Sequence, residues 1–226
     1  MRKTFYAMES VTGDWIIRWF SIKKGFVFMR KLGLPAVLFI VLCGSVFAGD
    51  ASRVPLLNGV YSVAIPDGWY VNQKDDGTTT HISPSEDSSM ALVITAPNIA
   101  IEDEEDFAEY AAISLHALFA EFGGGEMTGE DDEAELLGFP AILYSFSLSM
   151  NDIDFEGRSA AINADGAAVV FVAMAPEEDI EDFLPFATFI IESYELDPKA
   201  IEANAETIAN VSELINQQLL ESLQEE

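Results

Sequence analysis

Apolar and polar positions alternate most regularly in residues 141–174, which read ILYSFSLSM, ND, IDFEGRSAAI, NADG and AAVVFVAM. In the first run Ile142, Tyr144, Phe146, Leu148 and Met150 share one face, and Ala141, Leu143, Ser145, Ser147 and Ser149 share the other. Period two with one polar side predicts a half-buried strand. Asn151-Asp152 and Asp165-Gly166 tolerate positive φ, so each predicts a hairpin between antiparallel neighbours. The third run is apolar on both faces, the signature of a central strand covered on both sides.

The preceding stretch adds shorter strands. Residues 60–65 alternate and stop at Pro66-Asp67-Gly68, where fixed proline φ and a permissive glycine set a tight turn. Residues 69–74, 78–83 and 90–96 continue as strands of a meander, and residues 50–59 read as a linker. From residue 102 to 122 the period changes to about 3.6, with Phe107, Ala111, Leu115, Leu118 and Phe122 in one stripe. The acids of residues 102–106 fall at the positive end of that helix's dipole, and Gly123-Gly124-Gly125 stops it. Acidic residues 130–135 read as a loop. A second helical stretch begins near Pro176 with Ile180, Phe183, Ala187, Ile190 and Tyr194 on one side. Proline removes a donor and clashes one turn back, so a break and restart are expected at Pro185.

From residue 199 a helix is expected to run without interruption almost to the end, Pro198 closing the domain before it. Ile201, Ala205, Ile208, Val211, Ile215, Leu219 and Leu223 fall on one arc. That stripe must pack on its own domain, on a second copy or on a partner, because water is a poor neighbour for it. Ile201, Ile208, Val211, Ile215 and Leu219 are therefore the candidate partner-binding residues. The polar face lacks Lys and Arg, which argues against a membrane-surface helix. The fold class expected is α+β: helices on a twisted antiparallel sheet, with a C-terminal amphipathic helix.

Charge changes the picture at the N-terminus. Of eleven Lys and Arg, seven precede residue 49, against two of 39 acids, so the remainder carries 4 cations and 37 acids, a net of −33. Such a surface repels phosphates and anionic head groups, which argues against nucleic acid and membrane as partners. Met29-Arg30-Lys31 followed by LGLPAVLFIVLCGSVFA has the basic start, short apolar run and small-residue end of a secretory signal. Translation is expected to start at Met29, with cleavage after Ala48. The organisation expected is a signal segment over 1–48, a folded domain over 49–197 and a helical tail over 198–226, in a periplasmic or secreted protein. Leu42 before Cys43 departs from a lipoprotein signal.

Chemistry is sparse. Cys43 is the single cysteine and lies in the leader, so the domain has no thiol. His81 and His116 are both expected to face solvent. The sequence contains no G-x-S-x-G, no H-E-x-x-H and no phosphate-cradling glycine loop. Asp152-x-Asp154-x-Glu156-Gly157 matches the start of a calcium loop, but Asn163 stands where the bidentate glutamate is required. The alternation of those acids with Ile153 and Phe155 explains them as the polar side of a strand. Paired carboxylates also permit a hydrolase, yet only Trp69 is left for sugar stacking after the leader. No catalytic, metal or cofactor-binding residue is assigned, and no cofactor is expected. The function expected is non-enzymatic: binding or helping to assemble other proteins of the cell envelope, or self-association through the tail. The competing class is a small-ligand or calcium-binding domain, or a hydrolase, with a carboxylate site.

Tyr61, Ile65, Pro66, Gly68 and Trp69 in YSVAIPDGW, with Phe189, Ile190, Ser193 and Leu196 in FATFIIESYEL, resemble the PsbP-like family. That fold is shared by the Ran-binding nuclear import factor and the periplasmic protein DcrB. The resemblance covers residues 56–197 and implies an α/β/α sandwich around an antiparallel sheet, with a role in binding or assembly rather than catalysis. It transfers no functional residue, and the tail after Pro198 departs from it.

Overall fold

The structure is a computed structural model and describes residues 50–99, 101, 104–121, 124–128, 132–164 and 166–222. The leader, Glu102, Asp103, Phe122, Gly123, Glu130, Asp131, Asp165 and Leu223 lie outside the described residues.

Eleven strands and four α-helices follow in the order β1 (Ala51–Leu56), β2 (Tyr61–Pro66), β3 (Tyr70–Gln73), β4 (Thr79–Ser83), β5 (Ala91–Thr95), α1 (Glu104–Glu121), β6 (Glu126–Met127), β7 (Asp132–Leu136), β8 (Phe139–Met150), β9 (Ile153–Ala164), β10 (Ala167–Pro176), α2 (Ile180–Glu192), β11 (Glu195–Leu196), α3 (Pro198–Ala203) and α4 (Ala205–Ser222) among the described residues. The large sheet runs β3-β4-β5-β10-β9-β8-β6, with β7 also on β8; a small sheet runs β1-β2-β11. Every pairing is antiparallel.

The hairpins at the centre form where the turn chemistry puts them. Asn151 (φ 53°), Asp152 (φ 64°) and Gly166 (φ 83°) all take left-handed backbone, whose twist matches that of the strands they join. β10 is buried from Ala167 to Ala175, as an all-apolar central strand requires.

Residues paired directly across antiparallel strands share a face of the sheet, so the register assigns the layers. Phe146, Gly157 and Met174 lie on one face, where the Phe119 ring of α1 meets Phe146 edge-on at 5.6 Å. Thr80, Ile94 and Phe171 lie on the other. There Tyr61 of the small sheet shares a hydrogen bond with Thr80 (2.9 Å), and Tyr194 meets Phe171 edge-on at 5.2 Å. α2, which leads into Tyr194, packs on β10, β2 and β9. The result is an α+β fold in three layers: α1, the large sheet, and α2 with the small sheet.

Five expectations are corrected. Residues 50–59 are not a linker: β1 pairs with all of β2, through a turn in which Asn58 (φ 55°) and Gly59 (φ 83°) are left-handed. Pro55 is tolerated because β1 is an edge strand. The turn at Pro66-Asp67-Gly68, closed by Trp69 N–H donating to the Pro66 carbonyl at 3.2 Å, makes no hairpin; it carries the chain from the small sheet to the large one. Residues 132–135 belong to β7, which folds back on β8 through Leu137 (φ 59°) and Gly138 (φ 84°). α2 runs unbroken through Pro185. An interior proline costs about 3 kcal/mol through its lost donor and its ring clash together; burial of Ile180, Phe183, Leu184, Ala187, Ile190 and Ile191 offsets that at about 1.5–3 kcal/mol for each large side chain. Finally, the tail is two helices. Pro198 opens α3, where a proline at the first helical position costs nothing, and the Asp197 carboxylate caps it by accepting from Lys199 N (2.9 Å) and Ala200 N (3.3 Å). Asn204 (φ −113°, ψ 22°) then interrupts the helix.

Candidate functional site

α4 is the first place to look, because the candidate residues of the tail sit on it. Ile208 (0% exposed), Val211 (6%) and Ile215 (6%) are buried within the chain, while Ile201 and Leu219 are half-buried. α4 packs chiefly on α1. A Cβ placed on Gly77 would meet Val211 at 3.7 Å, which puts the residue 75–78 turn beneath the helix as well. Polar contacts set its register: Ser212 Oγ accepts from Ile99 N (3.1 Å), and Asn98 Nδ2 donates to Asn216 Oδ1 (2.7 Å). The floor of this seam is fixed to β10, since Asn98 and Ala168 exchange backbone hydrogen bonds of 2.8 and 2.9 Å. Asp76 borders it. Partial burial pushes that carboxyl up, but bonds from Thr78, the Lys74 ammonium and the Gln218 side chain together hold it below its usual range. The structure thus brings Ile208, Val211 and Ile215 together against the chain's own surface.

The other candidate is the end of the sheet that the α2 layer does not cover. β8 and β9 each run for twelve residues, and α2 lies on β10 and β9. On that face the register lines up Glu126 with Ser147 and Glu156, Ser145 with Arg158, and Ser149 with Asp154. Ser149 Oγ donates to Asp154 Oδ1 at 2.5 Å. A shallow groove of about 520 Å³ runs along it, lined by Gly124, Gly125, Glu126, Ser147, Ser149 and Asp154, with Glu156 and Glu177 beyond. A neighbouring hollow of about 430 Å³ lies between the Asp152-Ile153-Asp154 corner and Pro176-Glu177-Glu178. Ile153 stands 46% exposed at that corner.

Two glycines hold this end in shape. A Cβ on Gly157 would lie 2.1 Å from the Phe146 ring, and one on Gly125 would lie 2.6 Å from the Phe119 ring. Each ring therefore occupies space that only glycine leaves free, and the stack of Phe146 and Phe119 ties α1 to the sheet beside the groove.

The calcium-loop start is not assembled. Asp152 lies in the turn, and Asp154 and Glu156 point from one face of β9; among the described residues no three metal-ligating side chains converge. His81 and His116 are both exposed, and His116 lies edge-on to Phe119 at 5.9 Å. The acid-lined face was legible in the alternation Ser145, Ser147, Ser149. That no layer of the described residues covers it was not, because coverage depends on where α2 lands.

The buried phenols give a prediction on pH. Burial pushes Tyr61 up to about 12, with its Thr80 bond acting in the opposite direction. Burial also raises Tyr110, tempered by Thr95, Ser114 and Asn98, and raises Tyr194, with Tyr61 and Tyr110 adding to it. The unfolded chain ionises these groups near pH 10, before the folded one. Their contribution to stability is complete below pH 10 and is lost as pH rises toward 12. Alkaline titration should show a cooperative step in phenolate absorbance, from these three groups, that coincides with loss of the near-ultraviolet circular dichroism; ionisation of the buried phenols with the circular dichroism intact would contradict the burial.

No family model matches the chain, and no curated protein matches it. Solved structures do: the architecture is the PsbP/Mog1 fold. Cyanobacterial PsbP from Synechocystis sp. PCC 6803 matches with a TM-score of 0.53 at 11% identity, over 69% of this chain and 97% of that one. LpqN, involved in cell envelope biogenesis of Mycobacterium tuberculosis, matches at 0.43 and 17% identity over 66% and 91%. A point mutant of Mog1 matches at 0.43 and 12% identity over 67% and 98%. At these identities the likeness is one of fold.

Proposed function

We propose that this chain is an exported, non-enzymatic protein that binds another protein of the cell envelope, and that it does so with the uncovered face of β8 and β9. The observation that carries this reading is the face itself: twelve-residue strands reach past α2, and their outward positions alternate serine and acid beside a shallow groove. An antiparallel sheet solvated on one side is stable without a partner, and its polar rows offer both hydrogen bonds and charge to one. The basic, apolar leader supports export. No helix among the described residues is long and apolar enough to cross a membrane. The sparse chemistry of the described face, carboxylates, hydroxyls and Arg158 with neither histidine nor thiol, supports recognition over turnover. Its charge favours a partner presenting basic side chains, since complementarity sets specificity and association rate. The test is to reverse that charge with Glu126→Lys and Glu156→Lys together. Both side chains reach solvent, so the variant should fold normally and lose capture of envelope proteins.

A further inference from the structure

We propose that α4 is a detachable strap that opens as a unit about Asn204 while the sheet stays folded. The connector is a ready hinge: α3 has no fully buried side chain, and Asn204, though bonded back to Ala200 and Ile201, leaves helical geometry at φ −113° and ψ 22°. Opening there breaks no continuous helix. The strap is held on one side only. Of its described side chains, Ile208, Val211, Ser212 and Ile215 are buried and the rest are half-buried or exposed, so three aliphatic residues supply most of its apolar contact.

What α4 rests on remains whole when it leaves. Its main neighbour is α1, which is separately anchored to the sheet by Phe119 on Phe146. Asn98 keeps both backbone bonds to Ala168 of β10. The hydrogen bonds that would break include Asn98 to Asn216, Ile99 to Ser212 and Gln218 to Asp76; they join groups that water satisfies once the seam opens, so their net worth is small. β8, β9 and β10, by contrast, are joined along ten residue pairs on each side of β9 and separate only when the core unfolds. Such a division into a weakly held unit and a strongly held one is how proteins open sub-globally. Ile208, Val211 and Ile215 are available to a partner only in the opened state, which reconciles their partner-like stripe with their burial.

Native-state hydrogen exchange of the intact chain, followed at increasing sub-denaturing urea, tests this independently of any binding by the β8–β9 face. Amides of residues 208–219 should exchange about 100-fold faster than the slowest amides of β9 and β10, with a shallower dependence on urea. Exchange of α4 at the rate and slope of β9 and β10 would overturn the proposal, because the helix would then open only by global unfolding.

Discussion

Gly157→Ala should lower the free energy of unfolding by about 3 kcal/mol, the upper part of the range for forcing atoms into a packed core. Glycine in a strand interior ordinarily costs stability relative to alanine, so at a neutral site the change would be stabilising. Here the sign inverts, because the new methyl carbon would lie 2.1 Å from the Phe146 ring. That ring is 0% exposed and meets the Phe119 ring edge-on, so it has little room to retreat. Shrinking the ring should relieve the clash: Gly157→Ala combined with Phe146→Leu should cost less than the sum of the two single changes. Urea unfolding of the four proteins measures this coupling directly. A stable Gly157→Ala variant would mean that the ring does not lie over the glycine.

Phe171→Ala should be at least as damaging, at about 3–5 kcal/mol. Phe171 sits in the middle of β10, paired with Ala160 on one side and Ile94 on the other. It is 0% exposed, and Tyr194 meets it edge-on. Removing the ring leaves a cavity between the large sheet and the layer of α2 and the small sheet, and it also strips an aromatic contact from a buried tyrosine whose hydroxyl has no hydrogen-bond partner among the described residues. Domains have about 5–15 kcal/mol of stability in total, so the melting temperature should fall by about 10 °C. Ile153→Ala at the exposed hairpin corner is the contrast. Its side chain is 46% exposed, and thermal melts should place it within about 0.5 kcal/mol of the unchanged protein.

These two sites also mark what the sequence disclosed. β8, β9 and β10 were legible because three local signals agree there: alternation in β8, unbroken apolar character in β10, and Asn151-Asp152 and Asp165-Gly166 as turns. α1 was legible by period, although its buried stripe runs through Tyr110 and Phe119, with Leu118 half-buried beside it. Elements whose existence depends on a neighbour were not. β7 pairs with β8 through Leu137 in left-handed backbone, a conformation that leucine gives no reason to expect. β1 carries Pro55, which argues against a strand unless the strand is known to lie at an edge. Pro185 does not break α2, because core burial outweighs one missing backbone bond. The apolar stripe of α4 was plain, but its destination was set by tertiary geometry: Gly77, Asn98 and Ile99 form a seam that nothing in the local sequence announces.

For function the division is similar. Charge, leader and the serine–acid alternation of β8 and β9 are sequence properties, and they delimit the class of partner. Which face stays uncovered is a property of the layers. α2 lies on β10 and β9, and the serine rows of β8 are left half-buried or exposed beyond it.

The most direct test of the proposed role is quantitative capture of envelope proteins on the immobilised chain, comparing the unchanged protein with two double charge reversals. One is Glu126→Lys with Glu156→Lys on the β8–β9 face; the other is Glu181→Lys with Glu202→Lys, exposed positions on α2 and α3. Both alter net charge equally, so general attraction of basic proteins affects them alike. The account predicts that the face variant weakens capture about 10-fold, equivalent to 1.4 kcal/mol, while the control changes it less than about twofold. Equal losses from the two variants, or none from either, would contradict it.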